Sequence, residues 1–368
     1  MAGLRKLCAF VVVVVGVPAA ALAASGPSTV SGSWRELHAA PFAVDGTSVW
    51  TGTRLIVFGR RPLTHSADVA EAYDPARDAW SRLSPPAGPR YSPGYRAVWT
   101  GKEMLAFGGF HSVAFNPTTG RWRELRRPLR DGIIVWTGVE AVGWGGGCCG
   151  DAFSDGAAYN PATGRYRKLA RSPLAPSQRP MGAWTGRELI VFVSGFDPDG
   201  RPYPARLARA AAYNPATNTW RRLPPFPRAG LRFAGTAVWD GHDVLVVAAG
   251  TNARSTRAYD PAANRWRRLR SLPAGRIGAT AVWTGERVLL WGGENRNAST
   301  DPRNGFAYDP RTDRWSSIPR TPLSRRSGSV VAWTERSLIV WGGVTPAPVG
   351  SRSAPTYHRD GAAFTPAS

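Results

Sequence analysis

Residues 259–293 read YDPAANRWRRLRSLPAGRIGATAVWTGERVLLWGG and contain every sequence signal on which the fold prediction depends. This stretch contains an aromatic-Asp-Pro turn, a strand with Trp-x-x-Leu, an apolar strand ending in Trp-Thr-Gly, and an apolar strand ending in Gly-Gly. Proline cannot donate to a β-ladder and ends a strand, while glycine supplies the positive φ of a tight hairpin. Short apolar runs separated by such turn residues predict an all-β unit of four strands, here called a to d.

The same unit recurs along the chain, which places it among repeat architectures. The signal Trp-Thr/Asp-Gly occurs six times, and a seventh copy has Glu335 in place of the glycine. The seven copies begin at Trp50, Trp99, Trp136, Trp184, Trp239, Trp283 and Trp333. In strand d, Trp266 and Leu269 are three residues apart and therefore face opposite sides of the sheet. A strand that is apolar on both faces lies between two layers, as a blade of a β-propeller does.

The two ends of the chain predict how the ring closes. The last unit has strands a and b near 329–341 and strand c near 361–364, but the chain stops before a strand d. The segment Trp34–Leu37 reads WREL and is identical to the strand d at Trp122–Leu125. We therefore expect a seven-bladed propeller of four antiparallel strands per blade, with the N-terminal strand completing the last blade and removing open edges.

All 16 tryptophans fall at equivalent positions in this scheme. Seven end strand a, six open strand d, and three precede a glycine at the end of strand b. We interpret the large rings as packing between blades rather than as platforms for a ligand.

The chain resembles the Kelch repeat family and the central domain of galactose oxidase. The resemblance rests on the Gly-Gly pair after strand b, the aromatic-Asp-Pro turn and the Trp six residues beyond the Asp, and it covers about residues 33–366. The Gly-Gly pair is degraded at 59–60, 194–195 and 249–250. The resemblance implies a propeller but no single activity, because this fold carries many functions.

The N-terminal segment is typical of a secretory signal peptide. Arg5 and Lys6 precede an apolar run, and small residues follow it, so we expect residues 1–24 to be removed and 25–368 to be a secreted or envelope-bound propeller of bacterial type. An uncleaved membrane anchor is the alternative, although the apolar run is short for a span. Cys148 and Cys149 remain in the mature chain, where they either form a vicinal disulfide or stay free.

The net charge of +22 allows an anionic partner, such as an acidic cell-wall polymer. Forty-four of the 47 basic residues are arginines, and they are spread through every repeat instead of forming one run. This distribution argues against specific nucleic-acid binding and is typical of a GC-rich genome.

Variable loops between strands b and c are where we expect function to lie, at the mouth of the central channel. They span residues 60–68, 110–112, 145–155, 195–208, 251–255, 294–304 and 344–360. The candidate ligand-binding residues on these loops are His65, His111, Asp151, Asp155, Arg206, Arg254, Glu294, Arg296, Arg303, Tyr357 and His358.

The motifs do not identify an enzyme. The five histidines show no metal-ligand spacing, and no catalytic triad pattern, phosphate loop or dinucleotide fingerprint is present in the sequence. We therefore predict a monomeric, non-catalytic module without cofactor or metal that binds a glycan, a cell-surface polymer or a protein. The resemblance leaves two alternatives: a metal-independent sugar isomerase similar to sialic-acid mutarotase, and a copper oxidase similar to galactose oxidase, in which Tyr357-His358 would resemble the Tyr-His pair of the copper site.

Overall fold

The computed structural model describes residues 28–62, 68–86, 95–108, 111–126, 129–147, 150–194, 196–197, 199, 201–204, 206–224, 233–249, 255–294, 303–347 and 353–367. The predicted signal peptide and the pair Cys148-Cys149 lie outside these residues, so both remain predictions. None of the described segments forms a helix long and apolar enough to span a bilayer.

Seven four-stranded antiparallel sheets form the blades. Blade 1 contains strands β2 to β5, at Asp45–Trp50, Leu55–Arg60, Asp68–Asp74 and Ala79–Leu83. Blade 2 contains β6 to β9, at Arg96–Trp99, Met104–Phe107, Ser112–Asn116 and Arg121–Glu124. Blade 3 contains β10 to β13, at Ile133–Trp136, Ala141–Trp144, Gly156–Asn160 and Arg165–Lys168.

Three further blades follow the same order. Blade 4 contains β14 to β17, at Met181–Trp184, Leu189–Phe192, Ala210–Asn214 and Thr219–Arg222. Blade 5 contains β18 to β21, at Phe233–Trp239, Val244–Ala249, Thr256–Asp260 and Arg265–Arg268. Blade 6 contains β22 to β25, at Ile277–Trp283, Val288–Glu294, Phe306–Asp309 and Arg314–Ser317.

Blade 7 combines both ends of the chain. Its strands are β26, β27, β30 and β1, at Val330–Trp333, Leu338–Trp341, Gly361–Pro366 and Gly32–Leu37. A short hairpin, β28 and β29 at Val344–Thr345 and Thr356–Tyr357, projects from its b–c connection. Strand β1 pairs antiparallel with β30 in the register Trp34↔Phe364, and the inner strands of all seven blades contact one another in cyclic order. The predicted fold and its closure by the N-terminal strand are confirmed.

Strand d packs on two neighbouring layers, as its spacing predicted. Trp266 lies against Tyr259 of its own blade in a cluster that also contains Phe192 of blade 4, whereas Leu269 joins a cluster with Val288 and Tyr308 of blade 6. Each strand-d Trp also donates its indole N–H to a backbone carbonyl of the preceding blade, as Trp220 does to Ala170 at 3.0 Å. Side chains from successive repeats thus build one continuous ring of core.

The turns adopt the backbone conformations that their residue types predicted. Asp78, Asn218, Asn264 and Asp313 have φ between 48° and 52° at the c–d turns. At the a–b turns, glycine takes positive φ in six blades, and Glu335 takes the same conformation in the seventh at φ 67°. This glutamate is strained, because a side chain disfavours the left-handed region.

An ionic contact that we call the arginine latch joins blade 2 to 3, 3 to 4, 4 to 5 and 5 to 6. In each latch, the arginine after the strand-d aromatic meets a carboxylate at the start of strand b of its own blade and the strand-c Tyr hydroxyl of the next blade. Arg221 shows the geometry: its Nε and Nη2 lie 2.9 and 2.7 Å from the two carboxylate oxygens of Glu188, and Nη1 donates to the Tyr259 hydroxyl. The other three latches are Arg123 with Glu103 and Tyr159, Arg167 with Glu140 and Tyr213, and Arg267 with Asp243 and Tyr308.

Where the next blade offers Phe in place of Tyr, the whole latch is absent from the sequence. Between blades 1 and 2 the three positions hold Arg54, Ser81 and Phe115. Between blades 6 and 7 they hold Arg287, Ser316 and Phe364. At these two junctions the arginine, the carboxylate and the tyrosine are thus absent together.

Candidate functional site

A cavity of about 460 Å³ opens at the mouth of the central channel. Strand a of each blade is antiparallel to strand b, so the start of strand a shares a face with the b–c loops. The cavity lies on this face and is built by the starts of β6, β10, β14 and β18 together with the segments that precede β10 and β14. Its lining consists of Arg96, Asp131, Gly132, Ile133, Ile134, Gln178, Arg179, Pro180, Met181, Gly182, Gly235, Thr236 and Ala237.

The polar lining of this channel-mouth cavity is predominantly cationic. Arg96 and Arg179 contribute two guanidinium groups, and Asp131 contributes one carboxylate. Arg96 is exposed to solvent at the channel mouth. Partial desolvation by the surrounding protein is the main cause that lowers its pKa; Asp131 opposes this effect and Arg179 adds to it. Two guanidinium groups against one carboxylate leave the lining with a net positive charge, which favours an anionic ligand.

The b–c loop of blade 3 holds the polar lining in place. The amide of Gly147 donates to Asp131 Oδ1 at 3.0 Å, and Gln178 Nε2 donates to the backbone carbonyl of Asp151 at 2.8 Å. Gly146 has φ 102°, and a Cβ there would lie 2.6 Å from Asp131 Oδ1. The glycine run before the cysteine pair thus allows the loop to approach Asp131 closely.

None of the described candidate residues predicted from the sequence lines this cavity. Asp151 contacts a lining residue only through its backbone carbonyl, which accepts the hydrogen bond from Gln178. The Asp155 carboxylate lies 3.3 Å from Arg130 Nε, and the Arg130 guanidinium stacks on the Phe153 ring. The backbone carbonyl of Arg206 accepts a hydrogen bond from the Arg222 side chain, and the backbone carbonyl of Arg303 accepts one from the Thr321 amide. His111 has its Nδ1 3.9 Å from Glu124.

The Tyr357-His358 pair belongs to the hairpin of blade 7. His358 lies 2.7 Å from the Thr345 hydroxyl, and burial together with the nearby Arg326 lowers its pKa. His65, Arg254, Arg296 and the side chain of Glu294 lie outside the described part of the structure.

Sequence reasoning missed Arg96, Asp131, Gln178 and Arg179 because it looked only at the b–c loops. These residues come from the start of strand a and from the d–a connections, which share the same face. The available signal was the polar residues that stand immediately before an inner strand, as in Gln178-Arg179-Pro180.

A further buried carboxylate, Glu71 on β4, lies outside the cavity. It is fully inaccessible to solvent, and one oxygen accepts the Phe42 amide at 3.0 Å. Burial raises its pKa to about 7, although Arg82 and Arg61, which flank the Phe42 ring at 4.5 and 3.9 Å, pull in the opposite direction.

The raised pKa of Glu71 predicts a pH-dependent loss of stability. Glu71 binds its proton more tightly in the folded protein than in the unfolded chain. The free energy of unfolding therefore falls as the pH rises from about 4.5, where the unfolded chain loses the proton, to about 7, where the folded protein loses it. Glu71→Gln is expected to recover up to about 3 kcal/mol at pH 8 and little at pH 4, as measured by urea unfolding. Glu124→Gln, at an exposed carboxylate, serves as the control. An equal effect of Glu71→Gln at both pH values would contradict the assignment.

Comparison with known proteins shows the fold alone. No family model matches the chain, and no curated protein sequence matches it. Among solved structures, a fungal alcohol oxidase of the AA5 family, determined in complex with copper, is similar with a TM-score of 0.67 at 14% sequence identity. The alignment covers 91% of this chain and 76% of that one. At this identity the similarity supports the propeller fold and does not extend to the activity.

A copper centre does not fit the described side chains. Copper sites take imidazole and thiolate or phenolate donors that converge on one point. Within the described segments, no three His, Cys, Asp or Glu side chains come together as a metal site would require. His38 contacts Asp78 at the c–d turn of blade 1, and His242 contacts Asp243 at the a–b turn of blade 5. His111 and His358 belong to blades 2 and 7. We derive no copper chemistry from this arrangement.

Proposed function

We propose that the chain is an exported, Kelch-type propeller that binds an acidic glycan of the cell envelope without catalysis. The Kelch signals and the leader-like residues 1–24 support this proposal from the sequence. The channel-mouth cavity supports it from the structure, because it adds a concave, charged site to the face on which binding was expected.

One observation carries the proposal: Arg96 and Arg179 share a cavity with a single carboxylate, Asp131. Guanidinium groups bind carboxylates through paired, charge-assisted hydrogen bonds. A uronic-acid residue supplies such a carboxylate, and its hydroxyl groups can donate to the side-chain oxygen of Gln178, which also lines the cavity. The cavity volume of about 460 Å³ lies in the usual range for small-ligand sites.

The same lining supports binding over sugar isomerisation. General acid-base catalysis requires side chains that exchange protons with the substrate near neutral pH. Asp131 is the one carboxylate that lines the cavity among the described residues, and it already accepts a hydrogen bond from Gly147. No histidine of the described segments lines the cavity.

Arg96→Gln and Arg179→Gln are each expected to weaken the binding of a glucuronate-containing oligosaccharide by about tenfold, and the double variant by more. The reason is the loss of one charge-assisted pair at a solvent-exposed site, worth about 1.5 kcal/mol, the lower end of the usual range. Isothermal titration calorimetry measures the affinity, with a neutral glucose oligosaccharide as the comparison ligand. Arg206→Gln is the matched control, because it removes the same charge from the same face but does not line the cavity.

Two results would contradict the proposal. Equal affinity for acidic and neutral oligosaccharides would show that the arginines do not select the ligand. Accelerated exchange of the anomers of free glucuronate, observed by proton NMR and lost in Asp131→Asn, would establish the enzyme alternative instead.

A further inference from the structure

The junction between blade 7 and blade 1 carries an incomplete arginine latch. Arg35 follows the strand-d Trp, and its hydrogen bond to Tyr73 of blade 1 raises its pKa. The position that holds Glu103, Glu140, Glu188 or Asp243 in blades 2 to 5 is occupied by Ser337. This junction therefore keeps the arginine and the tyrosine but lacks the carboxylate at the start of strand b.

A cavity of about 650 Å³ lies where the carboxylate is missing. Ser337 itself lines it, together with Thr334 and Ile339 of blade 7 and Trp50 and Tyr73 of blade 1. This junction cavity opens at the a–b and c–d turns, on the face opposite the channel-mouth cavity. The two cavities are therefore separate sites.

Four arginines surround the junction cavity: Arg35, Arg54, Arg77 and Arg336. Arg35 Nη1 lies 2.7 Å from Asp78 Oδ2, and Arg77 Nη1 lies 2.8 Å from Asp74 Oδ2, so these two positive charges are balanced. The hydrogen bond from Arg77 is the main cause that lowers the pKa of Asp74. Burial acts to raise the pKa of Asp78, but its hydrogen bonds with Tyr73, His38 and Arg35 outweigh that effect and lower it. Both carboxylates are therefore ionised. Arg54 and Arg336 are exposed and form no ion pair with a described carboxylate, which leaves two net positive charges.

The other latches show which group belongs beside Arg35. At the junction of blades 4 and 5, the two carboxylate oxygens of Glu188 accept hydrogen bonds from Nε and Nη2 of Arg221 at 2.9 and 2.7 Å. A guanidinium has five N–H donors, so the contact with Asp78 leaves an edge of Arg35 for a further carboxylate. Planar, paired contacts of this kind suit a carboxylate, and a ligand with several carboxylates reaches more of the four arginines than a single anion does.

We propose that the junction cavity binds a small polycarboxylate, with one carboxylate taking the place of the missing glutamate beside Arg35. A second carboxylate of the ligand reaches Arg54 and Arg336. This site is independent of the acidic-glycan site at the channel mouth, because the two share no residue.

The test is calorimetric titration of the full-length mature protein with citrate and succinate, with inorganic phosphate as the comparison anion. Citrate is expected to bind at micromolar to millimolar concentration, more tightly than succinate. Arg336→Ala and Arg54→Ala should each weaken citrate binding about tenfold. Arg187→Ala is the matched control, since Arg187 occupies the same turn position in blade 4, where Glu188 completes the latch.

Ser337→Glu gives the sharpest readout, because it installs the residue type found at the equivalent position of three other blades. It is expected to abolish citrate binding and to raise the melting temperature, since the new carboxylate pairs with Arg35. Should this variant fail to fold, the double variant of Arg54 and Arg336 to Ala decides the question by losing citrate binding.

Three outcomes would overturn the proposal. They are citrate binding that persists in the Ser337 variant or in the double arginine variant, phosphate binding as tight as citrate, and citrate binding that is lost in Arg96→Gln but kept in the junction variants. The last result would move the carboxylate to the channel mouth and leave the junction cavity without a ligand.

Discussion

Replacing Arg221 with methionine is expected to lower the free energy of unfolding by about 2–3 kcal/mol. The change leaves the Glu188 carboxylate, whose side chain is 16% exposed, without its bidentate partner, and it removes the hydrogen bond to Tyr259 across the junction. The loss exceeds the value of a surface ion pair, because the pair is half-buried and joins two blades. Urea unfolding followed by tryptophan fluorescence measures it.

The latch predicts a further, non-additive result. Arg187→Ala, on the exposed turn beside Glu188, should change stability by less than about 0.5 kcal/mol. The double variant Glu188→Gln/Arg221→Met should lose less free energy of unfolding than the two single variants lose in sum, because each single change already breaks the same contact. Additive effects would show that the two side chains do not act as a pair.

Removing the ring of Trp34 is expected to destabilise the protein by about 3–5 kcal/mol. Trp34 packs on Trp291 of blade 6 and on Phe364 of blade 7, with ring centroids 5.0 and 5.3 Å away, and donates its indole N–H to the Pro319 carbonyl at 2.7 Å. The Trp34→Ala variant therefore loosens the strand that closes the ring. Differential scanning calorimetry and limited proteolysis near residue 34 measure the effect.

Two comparisons make the ring-closure prediction specific. Val139→Ala, at an exposed apolar side chain, should have almost no effect. A chain that lacks residues 28–37 exposes the edge of β30 and is expected to aggregate, because an open strand edge pairs with other chains. A soluble, fully cooperative protein without these residues would contradict closure by the N-terminal strand.

The fold was predictable because its signals are local and repeated. Trp-Thr-Gly at the end of strand a and the aromatic-Asx-Pro turn each lie within a few residues, and seven copies reinforce one another. Closure was predictable for the same reason, since Trp34–Leu37 repeats the strand d of blade 2. The structure confirms both.

The sites were less predictable because their residues meet only after the ring closes. Arg96 and Arg179 are 83 positions apart in sequence, in segments without a shared motif. The latch did leave a sequence signal: arginine follows the strand-d aromatic only where the next blade has Tyr, as with Arg221 and Tyr259. That signal requires knowing which blade is the neighbour.

The most direct measurement is a crystal structure of the protein soaked with glucuronate. We expect the sugar carboxylate to lie between Arg96 and Arg179, with oxygen atoms about 2.7–2.9 Å from the guanidinium nitrogens. Well-ordered glucuronate elsewhere on the propeller, with water alone at the channel mouth, would contradict it.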